Sequence, residues 1–548
     1  MSKQNFLSLY LCRSAEQVAA LANRTGIFVE DKQWDDNGYA SLVEIYIKPD
    51  LDTEPLIMHA HMGILDDNRQ GVGVVARLLG NNKEYVRYDP NDGVIYTLLR
   101  SSAAYRMLIE HYDLDRALTV LKTLNDVVFL KYIESPPEAI RTIVSQEVFK
   151  YSFIRNSTAW FAWNNAATIL NGIRQEHFDA ISPTMNIRFR RESFANDHNI
   201  TLRFNFDALL SQRIAVIIGK NGIGKSQTLR EIADALLEGK TNFSTNGKSA
   251  RVMVNRLLAF SATQEMANTF PADTGDYNSY TIDYQHFSFN ERSHSHEKNQ
   301  VVMSILELAR QDQKLGRTSR WDMFREALKS VDNSQEISLA LSSDNSTIAI
   351  DQLKKISKPL PGRSILDILN DISETEIPFR LVNGQRHPLS SGEWRFLALA
   401  ARLCRHIDNG TLVLIDEPET HLHPQFISQI ADLLYTLLEM SGSVAIVATH
   451  SVYFVREVNH QQVIVLRHTP ENEVHVDVPI LRTLGANVGA ISRFVFGQDQ
   501  QTRQIERIKK TLLEQYRDKG WERLEADYGD VLASELLSVI RMEMEKDQ

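Results

Sequence analysis

An apolar run followed by a glycine-rich loop carries the clearest chemistry in this sequence. Residues 214–218 are apolar, and the loop after them has the spacing Gly219-x4-Gly224-Lys225-Ser226. Glycines let backbone N–H groups approach phosphate oxygens, the lysine can reach the β- and γ-phosphates, and the serine hydroxyl can bind Mg²⁺. A helix predicted to begin at Ser226 would direct its positive end at the phosphates. The loop therefore predicts a site for ATP and Mg²⁺. The residues expected to contact the nucleotide are Gly219, Lys220, Asn221, Gly222, Ile223, Gly224, Lys225, Ser226 and Gln227.

Two further apolar runs end in side chains suited to phosphate chemistry. Residues 411–415 lead into Asp416 and Glu417, and residues 444–448 come two positions before His450. Short apolar runs of this kind predict buried parallel strands, whose carboxyl ends present ligand groups. Asp416 could hold the water shell of Mg²⁺, and Glu417 could orient or deprotonate the attacking water. A histidine at position 450 could contact the γ-phosphate.

A helix start lies between the loop and the two carboxylates. Ser390 is a suitable N-cap, and Glu393 stands three residues later, at the spacing of a capping box. The helix is predicted to run from Trp394 to His406. Taken alone, this pattern indicates where a helix begins and carries no chemistry.

Together these segments resemble a family. Their sequences are Gly-Lys-Asn-Gly-Ile-Gly-Lys-Ser at 219–226, Leu-Ser-Ser-Gly-Glu at 389–393, Leu-Ile-Asp-Glu-Pro-Glu-Thr-His-Leu-His-Pro at 414–424 and Ala-Thr-His-Ser at 448–451. In order and spacing the set resembles the ABC-type ATPases, in particular the soluble branch related to SMC, RecF and OLD proteins. The resemblance implies an α/β fold: a P-loop NTPase with an ABC-type ATPase head, a helical insert, an α+β N-terminal region and a helical C-terminal tail.

The resemblance also implies how an ATP site is completed. In this family the signature helix of one subunit closes the ATP site of another, which implies a two-fold homodimer with two ATP molecules between subunits. Carried over, Ser390 and Gly392 would touch the γ-phosphate of the partner's ATP. Ser391 departs from the family, which usually has glycine there, and its side chain would weaken close approach of the backbone to phosphate. In the family a glutamine follows the next strand; residues 256–264 fit that place, and Gln264 would be a ligand of Mg²⁺ and water.

The pattern of motifs and elements divides the chain into five segments. No sustained heptads appear between the two halves of the head, which excludes long coiled-coil arms. The predicted segments are an N-terminal α+β accessory region at 1–180, an ATPase lobe with the phosphate-binding loop at 181–300, a helical insert at 301–380, a second ATPase lobe at 381–495 and a helical tail at 496–548.

Composition favours a cytoplasmic protein. The chain has 548 residues, enough for two to four domains, and its hydrophobic content of 43% can supply large cores. No run approaches the roughly 20 apolar residues needed to span a bilayer. Two cysteines far apart, Cys12 and Cys404, favour a reducing compartment. A net charge of −10 does not favour a general nucleic-acid clamp.

The residues after His450 lack the carboxylate pattern of the Toprim nuclease domain that OLD proteins carry, and no His-Asn-His nuclease pattern is present. DNA cleavage would therefore need another polypeptide. An ATPase that relies on a separate nuclease in this way resembles the PtuA ATPases of Septu-type anti-phage systems. The long opening region and the segment 483–492 resemble especially those found with retrons. The resemblance implies an HNH nuclease (PtuB-like) as partner, and a reverse transcriptase with its DNA–RNA hybrid (msDNA). A RecF- or SMC-like DNA repair ATPase and a nucleotide-gated scaffold with little turnover remain the alternatives.

Overall fold

The structure is a computed structural model, in which the chain forms two compact units, Met1–Gly485 and Ala486–Gln548. Each unit is described by itself. The described residues run from 7 to 546, without 22, 33–37, 52–53, 68, 81–82, 90–93, 135–136, 173–175, 177, 179, 207–211, 246–250, 262–268, 272–281, 289–295, 311–312, 342–345, 355–376, 421 and 497–502.

The first unit begins with a mixed α/β region. Its six-stranded sheet has the order β5-β1-β2-β3-β4-β6, in which β1 and β2 are parallel and the other neighbours are antiparallel. One hydrophobic cluster, with buried members from Leu9 to Leu170, fills this region. The strands are β1 (Leu9–Cys12), β2 (Gly26–Asp31), β3 (Leu42–Lys48), β4 (Leu56–Ile64), β5 (Tyr85–Arg87) and β6 (Ile95–Leu99). The helices are α1 (Ala15–Ala20), α2 (Val74–Leu79), α3 (Ser102–Tyr112), α4 (Leu114–Thr123), α5 (Val127–Phe129), α6 (Pro137–Ser145) and α7 (Ser157–Asn165).

The second sheet of this unit positions the candidate site. Its order is β12-β11-β19-β20-β9-β21-β22, and every neighbouring pair is parallel except β21 with β22. The central strands are buried on both faces, which explains their unbroken apolar sequences. The strands are β9 (Ile214–Gly219), β11 (Arg256–Ser261), β12 (Asp283–Ser288), β19 (Thr411–Asp416), β20 (Val444–Thr449), β21 (Val463–His468) and β22 (Val474–Asp477).

Helices cover this sheet and connect its parallel strands. Helix α8 (Lys225–Glu238) packs on β9, β19 and β20, and helix α11 (Ser391–His406) packs against α9 (His296–Arg310), α10 (Arg320–Leu328) and α12 (Pro424–Ser441). The helices of this part are α8 (Lys225–Glu238), α9 (His296–Arg310), α10 (Arg320–Leu328), α11 (Ser391–His406), α12 (Pro424–Ser441) and α13 (Val452–Val455).

A small antiparallel sheet precedes the phosphate-binding loop. It is a hairpin in which β7 (Thr184–Arg190) pairs antiparallel with β8 (Asp197–Arg203). The short strand β10 (Phe243–Ser244) adds to β7. The hairpin buries Ile187, Ile200 and Leu202 in the same cluster as α8.

The segment at 301–380 differs from its prediction as a helical insert. It contains most of α9 and all of α10, but also strands of a four-stranded antiparallel sheet with the order β16-β15-β17-β18. The strands of this segment and of the residues just after it are β13 (Lys314–Leu315), β14 (Thr318–Ser319), β15 (Ile337–Ala340), β16 (Thr347–Ala349), β17 (Phe379–Val382) and β18 (Gln385–Pro388).

The second unit is helical. Helices α15, α16 and α17 share a small core of Leu512, Tyr516, Leu524, Ile540 and Met544. Its boundary at Ala486 falls before the predicted boundary at 495, because α14 belongs to it. Its helices are α14 (Val488–Phe496), α15 (Arg503–Tyr516), α16 (Trp521–Tyr528) and α17 (Ser534–Lys546). No helix among the described residues has both the length and the apolar character needed to cross a bilayer.

Candidate nucleotide-binding site

The glycine-rich loop joins the end of β9 to the start of α8. Gly222 and Gly224 have φ of 80° and 106°. L side chains are strained in this region. A Cβ added at Gly224 would also lie 2.9 Å from Nε2 of His198. The predicted order of strand, loop and helix is confirmed, with the helix beginning at Lys225, one residue earlier than expected.

Lys225 lies inside this loop. Its side chain is buried, and Nζ donates to the carbonyl oxygens of Gly219 at 3.0 Å and Lys220 at 3.3 Å. Burial lowers the pKa of Lys225, while the nearby acidic side chains of Glu417 and Asp416 oppose this shift. The ammonium is therefore a partly desolvated positive charge in the place where a loop of this kind holds phosphate.

Asp416 and Ser226 come together from distant parts of the chain. Ser226 Oγ donates to Asp416 Oδ1 at 2.9 Å, and Thr269 Oγ1 donates to Asp416 Oδ2 at 3.2 Å. Asp416 is 1% exposed, and this burial raises its pKa to about 6. One carboxylate beside two hydroxyl groups is an oxygen donor set of the kind that Mg²⁺ prefers. Thr269 carries no signal in the sequence, and the predicted ligand Gln264 lies outside the described residues.

Glu417 has an unusual backbone conformation. Its φ is 48°, and its backbone N–H donates to the carbonyl of Ala448 at 2.8 Å. A positive φ is uncommon for a residue with a side chain. Strained conformations of this kind persist when surrounding structure holds them, and they concentrate at functional sites. The bend turns the chain sharply at the carboxyl end of β19.

His450 follows β20, next to β19 in the sheet, and its imidazole contacts two acidic side chains. Nδ1 lies 3.0 Å from Glu419 Oε1 and 3.7 Å from Glu417 Oε1. Glu419 Oε1 also accepts hydrogen bonds from Thr449 Oγ1 at 2.5 Å and from the backbone N–H of His450 at 2.7 Å. The structure thus brings His450 beside Glu417, as the sequence predicted for two strand ends. Glu419 was missed, although it stands only two residues after Glu417.

The hairpin β7–β8 contributes groups that the sequence analysis did not assign to the site. Arg191 Nη1 donates to the carbonyl of Gly222 at 2.8 Å. The imidazole of His198 stacks on Phe189 with centroids 4.4 Å apart, and its Nε2 lies 3.3 Å from the carbonyl of Ile223. Burial lowers the pKa of His198, so its ring is neutral near pH 7.

The start of α11 has the predicted capping box. Ser390 Oγ accepts from the backbone N–H of Glu393 at 3.3 Å, and Glu393 Oε2 accepts from the backbone N–H of Ser390 at 2.8 Å. Gly392 is buried, and a Cβ there would lie 2.5 Å from the ring of Phe426, so helix packing alone requires glycine. Among the described residues, no hydrogen bond joins Ser390 or Gly392 to the phosphate-binding loop of the same chain.

The parallel sheet, the loop and the carboxylates at the neighbouring strand ends define a P-loop NTPase fold. Comparison with known proteins agrees with this class. Residues 214–456 match the family model described as "AAA domain, putative AbiEii toxin, Type IV TA system". The match begins at the first residue of β9 and ends after α13, so it spans every site residue described above except those of the hairpin.

Individual relatives are distant. The chain is similar to Protein ea59 of Escherichia phage lambda, with 24% identity over 396 residues, covering 69% of this chain and 70% of that protein. A stretch of 84 residues is 29% identical to UvrABC system protein A of Agrobacterium fabrum, covering 15% of this chain and 9% of that protein. Among solved structures, cbiO1 of Clostridium perfringens, part of the ABC transporter complex cbiONQ, is similar with a TM-score of 0.26 and 15% identity, covering 60% of this chain and 95% of that one.

Proposed function

We propose that this chain binds ATP with Mg²⁺ and hydrolyses it, and that two copies close around two ATP molecules during the cycle. The observation that carries the proposal is the hydrogen bond of 2.9 Å between Ser226 and Asp416. It places the hydroxyl of the phosphate-binding loop against the carboxylate of a neighbouring strand end. Lys225 and Glu417 then complete a set of groups suited to phosphoryl transfer to water.

Each group has a distinct part in hydrolysis. Lys225 and the backbone N–H groups of the loop hold the phosphates, and Ser226 and Asp416 would hold Mg²⁺, which neutralises charge on the phosphate oxygens. Glu417 orients the attacking water and accepts its proton. His450, held by Glu419, stabilises charge at the γ-phosphate.

In the proposed dimer, the exposed start of α11 would bind the γ-phosphate of the partner's ATP. Ser390 is the N-cap of this long helix, and the unpaired N–H groups of a helix N-terminus stabilise an anion. Its hydroxyl donates to Glu393 Oε2 at 2.8 Å. In a closed dimer the γ-phosphate of the partner's ATP would replace this carboxylate as the acceptor. Arg380, which forms an ion pair with Glu393, would then hold the displaced Glu393 side chain away from the phosphate.

Phosphate release from ATP by the purified chain tests hydrolysis. We expect Mg²⁺-dependent release by the parent and none above background by Lys225→Ala. A suitable control is Lys240→Ala, which removes a lysine beyond the other end of the same helix that pairs with Glu238 outside the site. Equal release by the parent and Lys225→Ala would exclude this loop as the nucleotide site.

The finer function that we propose is that of the ATPase subunit in a retron- or Septu-type anti-phage complex. Closure on ATP would control a partner HNH nuclease, with a reverse transcriptase and its DNA–RNA hybrid in the same assembly. The long opening region and the segment 483–492, which resemble those of PtuA ATPases, support this assignment. The similarity to a phage protein and to a domain described as a toxin of a Type IV TA system agrees with a role in conflict between phage and host.

Co-purification from the native host tests the partners. A tagged chain is expected to recover an HNH protein and a structured DNA–RNA hybrid, identified by mass spectrometry and by nuclease sensitivity. Recovery of neither would exclude the complex. ATP-dependent binding of the chain alone to duplex ends or gaps would replace it with a RecF- or SMC-like repair role, and ATP binding without phosphate release would replace it with a nucleotide-gated scaffold.

A further inference from the structure

Two short turns of the N-terminal region share one arrangement of residues. Leu130–Glu134 and Phe149–Phe153 each form a single turn of π-helix, with lysine at the second position and tyrosine at the third. The two Lys-Tyr pairs are Lys131-Tyr132 and Lys150-Tyr151. Their tyrosines are 41% and 54% exposed, so an aromatic ring stands in solvent in each turn. Turns of π-helix are rare and frequently lie at functional sites, which makes the two pairs candidates for ligand binding.

Both turns pack on the same aromatic side chain of α7. Nζ of Lys131 lies 4.1 Å from the ring centroid of Trp163, and the ring centroid of Phe149 lies 5.3 Å from that of Trp163. Trp160 stands three residues earlier in the same helix. Residues three apart in a helix are neighbours on its surface. Helix α7 therefore holds both Lys-Tyr pairs in one region of the first unit.

A cleft of about 480 Å³ opens beside the second pair. Lys150, Tyr151 and Trp160 line it from the N-terminal region, and the end of α8 lines it from the ATPase lobe. Glu238 and Lys240, which form an ion pair at 2.9 Å, belong to this lining. The charged side chains of the cleft are four cations and one anion: Lys150, Arg155, Lys240 and Arg251 against Glu238. The cleft is therefore basic, although the whole chain has a net charge of −10.

Arg251 is held in a fixed position in this cleft. Its Nη1 donates to the carbonyl oxygen of Ile154 at 2.8 Å, and its Nη2 donates to the carbonyl oxygen of Arg155 at 2.7 Å and to Ser157 Oγ at 2.8 Å. The guanidinium also lies over the ring of Trp160, 5.0 Å from its centroid. A guanidinium has five N–H donors, so two are left for a phosphate. Because the side chain is already ordered, binding a phosphate costs it little further entropy.

We propose that the two Lys-Tyr pairs and the cleft form a binding surface for single-stranded nucleic acid, DNA or RNA. Lys131, Lys150 and Arg251 bind phosphates, and the rings of Tyr132 and Tyr151 stack on unpaired bases. Bases inside a duplex are stacked on one another and do not offer their faces to the tyrosines. This surface is separate from the phosphate-binding loop. The inference goes beyond the proposed complex, in which the chain need not touch nucleic acid itself.

Fluorescence anisotropy of labelled oligonucleotides tests the surface in the full-length chain without ATP. The probes are a DNA single strand of about 12 nucleotides, an RNA of the same sequence and the DNA duplex. We expect at least one single strand to bind about tenfold more tightly than the duplex, and the stronger of the two identifies the source. No binding of either single strand up to about 100 µM would overturn the surface. A duplex that binds as tightly as both single strands would overturn its assignment to unpaired bases.

Single substitutions separate stacking from charge. Tyr151→Ala is expected to weaken single-strand binding about tenfold without changing its salt dependence, because stacking neutralises no phosphate. Lys150→Ala is expected to reduce the slope of log affinity against log salt concentration by about 0.7, because it removes one phosphate contact. Tyr85→Ala and Lys329→Ala, at exposed residues outside the surface, are the matched controls and are expected to change neither quantity.

Two further results would count against the proposal. Parental affinity in the double variant Tyr132→Ala/Tyr151→Ala would exclude stacking on these rings. Labelled poly-glutamate that binds as tightly as the single strands would reassign the surface to an acidic protein partner. All of these variants are expected to release phosphate from ATP at the parental rate, so a failure of this surface is distinguishable from a failure of the proposed hydrolysis.

Discussion

The carboxylate of Glu419 contacts two nitrogens of His450. Glu419 Oε1 accepts the backbone N–H of His450 at 2.7 Å and lies 3.0 Å from Nδ1 of the imidazole ring. The glutamate is buried, with 4% of its side chain exposed, so it has little freedom to move. Because Nδ1 faces a carboxylate, that nitrogen carries the proton and Nε2 is left for a ligand. Glu419 is therefore a positioning residue for His450.

Substitution of Glu419 tests this role. Glu419→Ala is expected to lower kcat for ATP hydrolysis about a hundredfold, like His450→Ala, because each removes an oriented imidazole from the γ-phosphate. The KM for ATP is expected to change little. Glu419→Gln keeps an acceptor oxygen for both N–H groups and is expected to retain most of the rate. A parental kcat in Glu419→Ala would remove Glu419 from this role.

Glu417 is expected to act at the chemical step and not in binding. Glu417→Gln removes the base while keeping size and backbone, so we expect kcat to fall about a hundredfold or more. Fluorescent ATP analogues are expected to bind with parental affinity. Glu439→Gln, the same change at a residue of α12 outside the site, serves as the control. Hydrolysis at the parental rate by Glu417→Gln would show that Glu417 is not the general base.

Gly392 is expected to matter for packing. At an unobstructed helix position, Gly→Ala stabilises a protein by roughly 0.5–1 kcal/mol. Here the added Cβ lies 2.5 Å from Phe426. Gly392→Ala is therefore expected to destabilise the protein by about 1–3 kcal/mol. Ser391→Ala, at the exposed neighbouring position, is the matched control for thermal denaturation. If Gly392→Ala keeps the parental Tm but loses ATP hydrolysis, a direct contact with phosphate explains the glycine better.

Asp126 is expected to make stability depend on pH. It is fully buried beneath α5, accepts from Tyr105 and from the backbone N–H groups of Val128 and Phe129, and burial raises its pKa to about 7 from 3.8. Between these values the folded chain holds a proton that the unfolded chain has released. This contribution to stability is therefore complete below about pH 4 and is lost as pH rises to about 7.

The loss is at most about 1.4 kcal/mol for each pH unit across that window. Thermal denaturation between pH 4 and 8 measures it. Asp126→Asn is expected to flatten the decline because the amide does not titrate, whereas Asp115→Asn, at an exposed position of α4, is expected to leave it unchanged. The same slope in Asp126→Asn and the parent would assign the decline to other groups.

Features encoded by short-range spacing could be predicted from the sequence. The loop before α8 and the capping box of Ser390 and Glu393 each depend on residues within a few positions, so their geometry is local. The meeting of Asp416 with Ser226 could be predicted because parallel strands end at one edge of a sheet.

Features that depend on tertiary packing could not be predicted from the sequence. Arg191 reaches the phosphate-binding loop only because the hairpin packs beside it, and Thr269 reaches Asp416 from a segment without a recognisable pattern. Strands β15 to β17 are too short to show alternation, so the sequence of 301–380 predicts helices but not these strands. Gly392, which the family resemblance assigns to phosphate contact, is also required for packing against Phe426, and its place in the motif does not reveal this second role.

Closure of two chains on ATP is tested most directly by the solution mass of Glu417→Gln, measured by light scattering with and without ATP and Mg²⁺. Slow hydrolysis keeps the nucleotide in place, so we expect ATP to double the mass of the particle. Adding Ser390→Arg, which blocks the start of α11, is expected to prevent the doubling. If Glu417→Gln binds ATP but has the same mass with and without it, this result would contradict nucleotide-driven closure.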